Sequence, residues 1–219
     1  YQLLTSWVLD QLEPRMKPLG KALWERLTRY LITIVDEEHM DLGERILAAS
    51  HLYASSWEFN LIKGLNPQDD EMEEIDNSFK EGLEKYTDLH GVRELMAGPQ
   101  SPLGKFAHLV GQLRFQKRWS QTPRIPETSV IGHMFLVACY AYFFSLSLGA
   151  CPARRQNNFF SGLFHDLPEL LTRDIISPVK KSVPKVADLI REYENKELKR
   201  RVFGPLTQGG YPGVSDRLR

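Results

Sequence analysis

Cysteine is nearly missing from this 219-residue chain: only Cys139 and Cys151 are present, without a C-x-x-C spacing. No disulfide framework can be read from two such positions, and both are expected to act as reduced, small hydrophobes in a cytoplasmic protein. Net charge is missing too, with 28 basic residues against 28 acidic ones. That balance excludes a general binder of nucleic-acid polymers or anionic membranes, both of which need a cationic excess. A basic n-region is absent at the start, as is an initiator Met, and Ser215-Asp216-Arg217-Leu218-Arg219 carries no obvious end signal. The expectation is a piece of a longer protein without a signal peptide. The one long uncharged run, Met134 to Ala150, is seventeen residues, short of the roughly 20 that a membrane span needs. It contains several Tyr and Ser residues and reads as a buried core helix.

What is present is helical periodicity, so an all-α fold is expected. Leu3 to Leu12, Leu19 to Val35, Leu42 to Lys63 and Glu71 to Tyr86 carry apolar residues at three- and four-residue spacing. Asp41 with Glu44 three residues on forms a capping-box pattern, and the acidic cluster Asp69 to Glu74 suits a helix N-terminus. No strand, repeat or low-complexity segment is evident. The stretch from Ala97 to Gly104, with two Pro and two Gly, reads as a boundary. It separates an N-terminal helical unit, 1–97, from a second unit, 105–203. Thr122 to Glu127 contains two prolines and reads as a stiff loop. Helices are expected over Glu127 to Leu148, Gln156 to His165 or Asp166, Pro168 to Leu171 and Pro184 to Val202. Residues 204–219, rich in Gly and Pro up to Gly213, read as a tail. In the first unit Trp24, Tyr53, Trp57 and Phe59 are expected to be core residues.

The chemistry concentrates around His165-Asp166. An adjacent imidazole and carboxylate can serve one divalent cation, and little else demands that pair inside an apolar run. His133 lies on the preceding apolar segment. A lone histidine there is more often a core residue than a ligand, yet two antiparallel helices would bring it beside His165 and Asp166. Two neutral imidazoles and a carboxylate suit Mn, Co, Zn, Fe or Mg to differing degrees. Glu169, four residues after His165, shares its helical face and could move a proton; alone it reads as a solvated helix-cap acid. Asp174 could be a cap as well. Arg118, Arg124 and Lys180 are available cations for a phosphate.

Taken together, Arg118-Trp119, the Arg124 loop, His133, His165-Asp166-x-x-Glu169 and Leu171-Thr172-x-Asp174 leading to Pro178-Val179-Lys180 resemble the HD-domain phosphohydrolases. Within that family the bacterial 5′-deoxynucleotidase type is the nearest. The resemblance spans about Arg118 to Lys199, and it implies an all-α HD bundle with an additional N-terminal unit, holding one divalent metal ion. By that likeness His133, His165 and Asp166 are metal ligands and Glu169 is the catalytic acid/base. Arg118 contacts the 5′-phosphate, Trp119 shapes the sugar pocket, Asp174 orients the nucleotide and takes part in catalysis, and Lys180 contributes to substrate binding. The implied reaction is hydrolysis of a nucleoside or deoxynucleoside 5′-monophosphate to nucleoside and phosphate, by a cytoplasmic protein with a nucleotide as its partner. No polymer or membrane is implied, and a homodimer stays open.

The family pattern also includes a later Asp ligand. Here Asp188 comes too early and Asp216 falls in the Gly/Pro-rich tail. Three readings stay open: a ligand beyond Arg219, an incomplete site, or a substitute from the first unit, for which His51 is the candidate. An incomplete site would make the protein a non-catalytic nucleotide- or metal-sensing module. A scaffold in which His133 and His165 are core residues is the third function class.

Overall fold

The computed structural model describes residues 1–33, 39–65, 70–119, 122, 125–172 and 184–218. Helices make up almost all of it. The only pairing of extended backbone among these residues is one antiparallel bridge between Lys117 and Ser129. The all-α expectation holds. The chain divides into two compact units, Tyr1–Ala97 and Gly98–Arg219.

In the first unit α1 (Gln2–Met16) pairs with α2 (Lys21–Thr33), and α3 (Leu42–Ile62) packs on α4 (Asp70–Glu84) and α5 (Val92–Met96). The Asp41 capping box forms as its spacing dictates: Asp41 Oδ1 accepts from Glu44 N at 2.9 Å, and Glu44 Oε2 accepts from Asp41 N at 2.8 Å. The unit's core is small, built on Ala49, Tyr86 and Val92. Trp24, Tyr53, Trp57 and Phe59 are half-buried, so they pack at the edges of helices and not in a sealed core.

The second unit holds the larger core. It begins with α6 (Pro102–Gly111), whose first turn is closed by the Ser101 hydroxyl accepting from Gly104 N at 2.9 Å. Next come α7 (Val130–Ser147) and α8 (Pro152–Phe164), which form the most extensive helix pair among the described residues. The short α9 (Glu169–Thr172), α10 (Pro184–Leu198) and a π-helical turn at Lys199–Phe203 follow. The chain ends in α11 (Gly204–Gln208) and α12 (Pro212–Arg217). Leu167, Leu198, Val202, Leu206, Tyr211 and Leu218 make one buried cluster; Leu113, Val130 and Met134 make another.

Two sequence expectations are corrected here. Residues 204–218 are not a loop: Pro205 and Pro212 open helices at positions that need no N–H donor, while Gly209 and Gly210 (φ +91°) turn the chain between them. Leu206, Tyr211, Ser215 and Leu218 are buried as a result. The apolar run of α7 is a core helix on one side only. Val130, Met134, Ala138 and Ser145 are buried, whereas Leu136, Tyr140 and Phe144 face solvent.

Candidate metal centre

Helix α7 starts where Ser129 caps it, with the serine hydroxyl accepting from Gly132 N at 3.1 Å. It stops at Gly149, whose φ of +67° a side chain would strain. Helix α8 then returns antiparallel. His133 lies sixteen residues before Gly149 and His165 sixteen after it. With equal rise per residue on both helices, the two histidines reach the same level of the hairpin.

Two contacts set how closely the helices lie. Gly162 faces the backbone of α7 so tightly that a Cβ there would stand 2.9 Å from Ala138 Cα. Near the turn, Ser145 and Asn158 tie the pair: the buried Ser145 hydroxyl accepts from Asn158 Nδ2 at 2.7 Å and donates to Ala141 O at 2.6 Å. Neither the close approach nor this tie was read from the sequence. A glycine inside a helical pattern is the available signal for the first, since it costs about 1 kcal/mol unless packing needs it.

At the open end of the hairpin His133 Nε2 lies 3.3 Å from His165 Nε2 and 3.6 Å from an Asp166 carboxylate oxygen. His165 Nε2 is 3.0 Å from that same oxygen. The three donor atoms fall within 4.8 Å of one another, the arrangement expected of ligands around one ion. His133 and Asp166 are half-buried and His165 is exposed, so solvent reaches the cluster. Display of His165 and Asp166 follows from the tight turns after α8. Leu167, only 1 % exposed, anchors the segment in the core, with Leu167 N donating to Phe164 O and Glu169 N to Asp166 O.

The tautomer of His165 follows from its second nitrogen. Nδ1 lies 2.8 Å from the carbonyl oxygen of Gly162, which can only accept, so Nδ1 carries the hydrogen. Nε2 is then the nitrogen that His165 presents to Asp166 and His133, where either a proton or a cation can bridge it to the carboxylate.

Glu169 is 6 % exposed at the start of α9 and is not the solvated cap acid that its sequence position suggests when taken alone. Arg118 is held by backbone pairing to the approach of α7. Arg118 N donates to Thr128 O at 2.9 Å, and Val130 N to Gln116 O at 2.8 Å on the other side of the Lys117–Ser129 bridge. The Arg118 Nε is buried, and among the described residues nothing hydrogen-bonds it. Trp119 adopts φ +56°, a left-handed conformation that costs a non-glycine residue strain.

Arg124, Asp174, Lys180 and the Pro178-Val179 step lie outside the described residues. Asp216 is on α12, lining a groove of about 470 Å³ with Asn157, Phe160 and Arg217, and is not a member of the His-Asp cluster. Asp188 is on α10, ion-paired at 3.8 Å with Arg191 in the neighbouring turn. His51 is exposed on α3 of the first unit. Among the described residues the cluster therefore comprises His133, His165 and Asp166.

Comparison with curated proteins and with solved structures finds no match. A protein-family model described as HD domain matches residues 110–218, the segment that contains the cluster, Glu169 and Arg118. The match supports the HD-domain superfamily for this segment, and HD domains are generally metal-dependent hydrolases.

Proposed function

We propose that the second unit hydrolyses nucleoside 5′-monophosphates, deoxynucleotides included, to nucleoside and inorganic phosphate in the cytoplasm. The observation that carries this reading is the convergence of His133, His165 and Asp166, with His165 Nε2 turned inward by the contact of Nδ1 with Gly162 O. Those three residues would hold one divalent cation, which supplies a Lewis acid beside the phosphate and lowers the pKa of water. Arg118 offers a guanidinium to the phosphate oxygens, a fork that suits a tetrahedral anion. Glu169, buried at the start of α9, would take a proton from the attacking water or return one to the departing 5′-oxygen. In the net reaction the water oxygen bonds to phosphorus, the P–O5′ bond breaks, and O5′ leaves protonated. Trp119 borders the sugar, and Asp174 and Lys180 complete the nucleotide contacts. Two unpaired cysteines accord with a reducing compartment.

A second reading, a nucleotide- or metal-sensing module without turnover, draws on the three-membered ligand set among the described residues. One experiment separates the two. The protein, purified without chelator, is analysed for metals and assayed for phosphate release from a panel of nucleoside and deoxynucleoside monophosphates, beside His165→Ala and Glu169→Gln. The hydrolase reading expects near-stoichiometric metal in wild type, its loss in His165→Ala, and retained metal with at least a 100-fold slower rate in Glu169→Gln. Equal rates in wild type and Glu169→Gln would overturn it. Nucleotide-dependent thermal stabilisation without phosphate release would favour the sensor.

A further inference from the structure

Two buried polar atoms lie on the approach to the metal centre. Gln116 Oε1, an acceptor, and Arg118 Nε, a donor, are both sealed from solvent, and among the described residues neither has a hydrogen-bond partner. Folded proteins leave few such atoms unpaired, because each has forfeited its bond to water. The Lys117–Ser129 bridge fixes how the two side chains stand. Its hydrogen bonds, Arg118 N to Thr128 O and Val130 N to Gln116 O, make 116–118 extended, so Gln116 and Arg118 share one face and Lys117 takes the other. Lys117 marks the outer face, where its ammonium pairs with Glu127 at 2.9 Å in solvent. The inner face carries Val130, fully buried, across the bridge from Gln116. His133 follows Val130 by three residues on α7 and is therefore its neighbour one helical turn along.

We propose that Gln116 is a substrate-contacting residue, its amide oxygen accepting the sugar 3′-hydroxyl of the nucleotide while Arg118 engages the 5′-phosphate. The assignment rests on the nucleotide reading above and adds to it the group that holds the sugar. An amide oxygen needs a donor, and an ionised phosphate offers none. A second metal ion there is opposed by the guanidinium on the same face. Within a nucleoside monophosphate that leaves the sugar hydroxyls and the amines of the base. Residues two apart on an extended chain are about 7 Å apart. An acceptor one such step from the phosphate-binding Arg118 meets the sugar, and the base lies beyond it. The 3′-hydroxyl is the sugar donor that nucleotides and deoxynucleotides share, in line with a site that takes both. A buried acceptor of this kind also selects, since an analogue without the hydroxyl leaves it unpaired.

Calorimetric titration tests this in the Glu169→Gln background with Mn²⁺ present, where turnover is slow enough for binding to be read. The ligands are matched 2′-deoxy and 3′-deoxy nucleoside 5′-monophosphates of each base. Gln116→Leu is expected to weaken the 2′-deoxy nucleotide, which keeps the 3′-hydroxyl, about 10-fold and to leave the 3′-deoxy nucleotide unchanged. Urea denaturation without ligand supplies a readout that a structural glutamine would not give: removing an unpaired buried oxygen should raise the midpoint. Equal weakening for both sugars, no weakening for either (an ordered water is then all that the oxygen holds), or a lower urea midpoint would overturn the assignment. Phosphate release from wild type is read in parallel. Sugar-selective weakening without phosphate release would sink hydrolysis and keep the Gln116 contact, whereas release with no sugar selectivity in Gln116→Leu would do the reverse. A protein that binds none of these nucleotides overturns both.

Discussion

Replacing Gly162 by alanine tests how the metal centre is assembled. The added Cβ would lie 2.9 Å from Ala138 Cα, 3.0 Å from Ala138 N and 3.2 Å from Val137 C, all backbone atoms that no rotamer change can move. Non-bonded carbons prefer about 3.5–4.0 Å, so α7 and α8 must part by roughly 0.6–1 Å at this level. Overpacking of that kind costs about 1–3 kcal/mol, and alanine recovers about 1 kcal/mol in helix propensity, for a net loss of about 0–2 kcal/mol. The site is more sensitive than the fold. His133 rides on α7 and His165 ends α8, and metal–ligand distances tolerate only about 0.2 Å. Metal affinity should therefore fall at least about 10-fold, the lower end of what misplaced ligands cost. The assay pairs urea denaturation with calorimetric titration of Mn²⁺ or Co²⁺ into stripped protein. Gly213→Ala is the control, since a Cβ there meets nothing within 4 Å and should gain stability without touching the site. If Gly162→Ala also gains stability and binds metal as wild type does, the close helix approach does not position the ligands, and the argument fails.

Two further substitutions probe the same unit. Ser145→Ala leaves the half-buried Asn158 amide without its hydroxyl partner and should lower urea stability by about 1–3 kcal/mol; its distance along α7 from His133 should leave metal affinity within about two-fold, and a larger drop would mean that the tie governs the ligands as well. Glu197, nearly buried, is held down to about 2 by the Arg200 hydrogen bond first, against an opposing desolvation, and by Arg201. A depressed carboxyl contributes stability that is present above its ordinary value of 4.5 and lost as pH falls toward about 2. Glu197→Gln should therefore flatten the acid limb of the stability profile across that window, and an unchanged limb would show that the pair contributes nothing.

What the sequence made legible was what depends on few residues. The Asp41 capping box closes within four positions, so its spacing alone predicts it. The meeting of His133 with His165 is long-range in sequence but reduces to one local fact, a helical hairpin turning at Gly149, which sets both histidines at equal height. Residues 204–218 were misread because Gly and Pro mark breaks without saying how long the pieces between them are. Two short helices became stable there only by burying Leu206, Tyr211 and Leu218, a packing event that periodicity over five residues cannot show. For α7 the failure is of another kind. A helix apolar on all sides has no polar face to point outward, so the pattern places it in a core and cannot tell a face covered by its own chain from one left for another molecule.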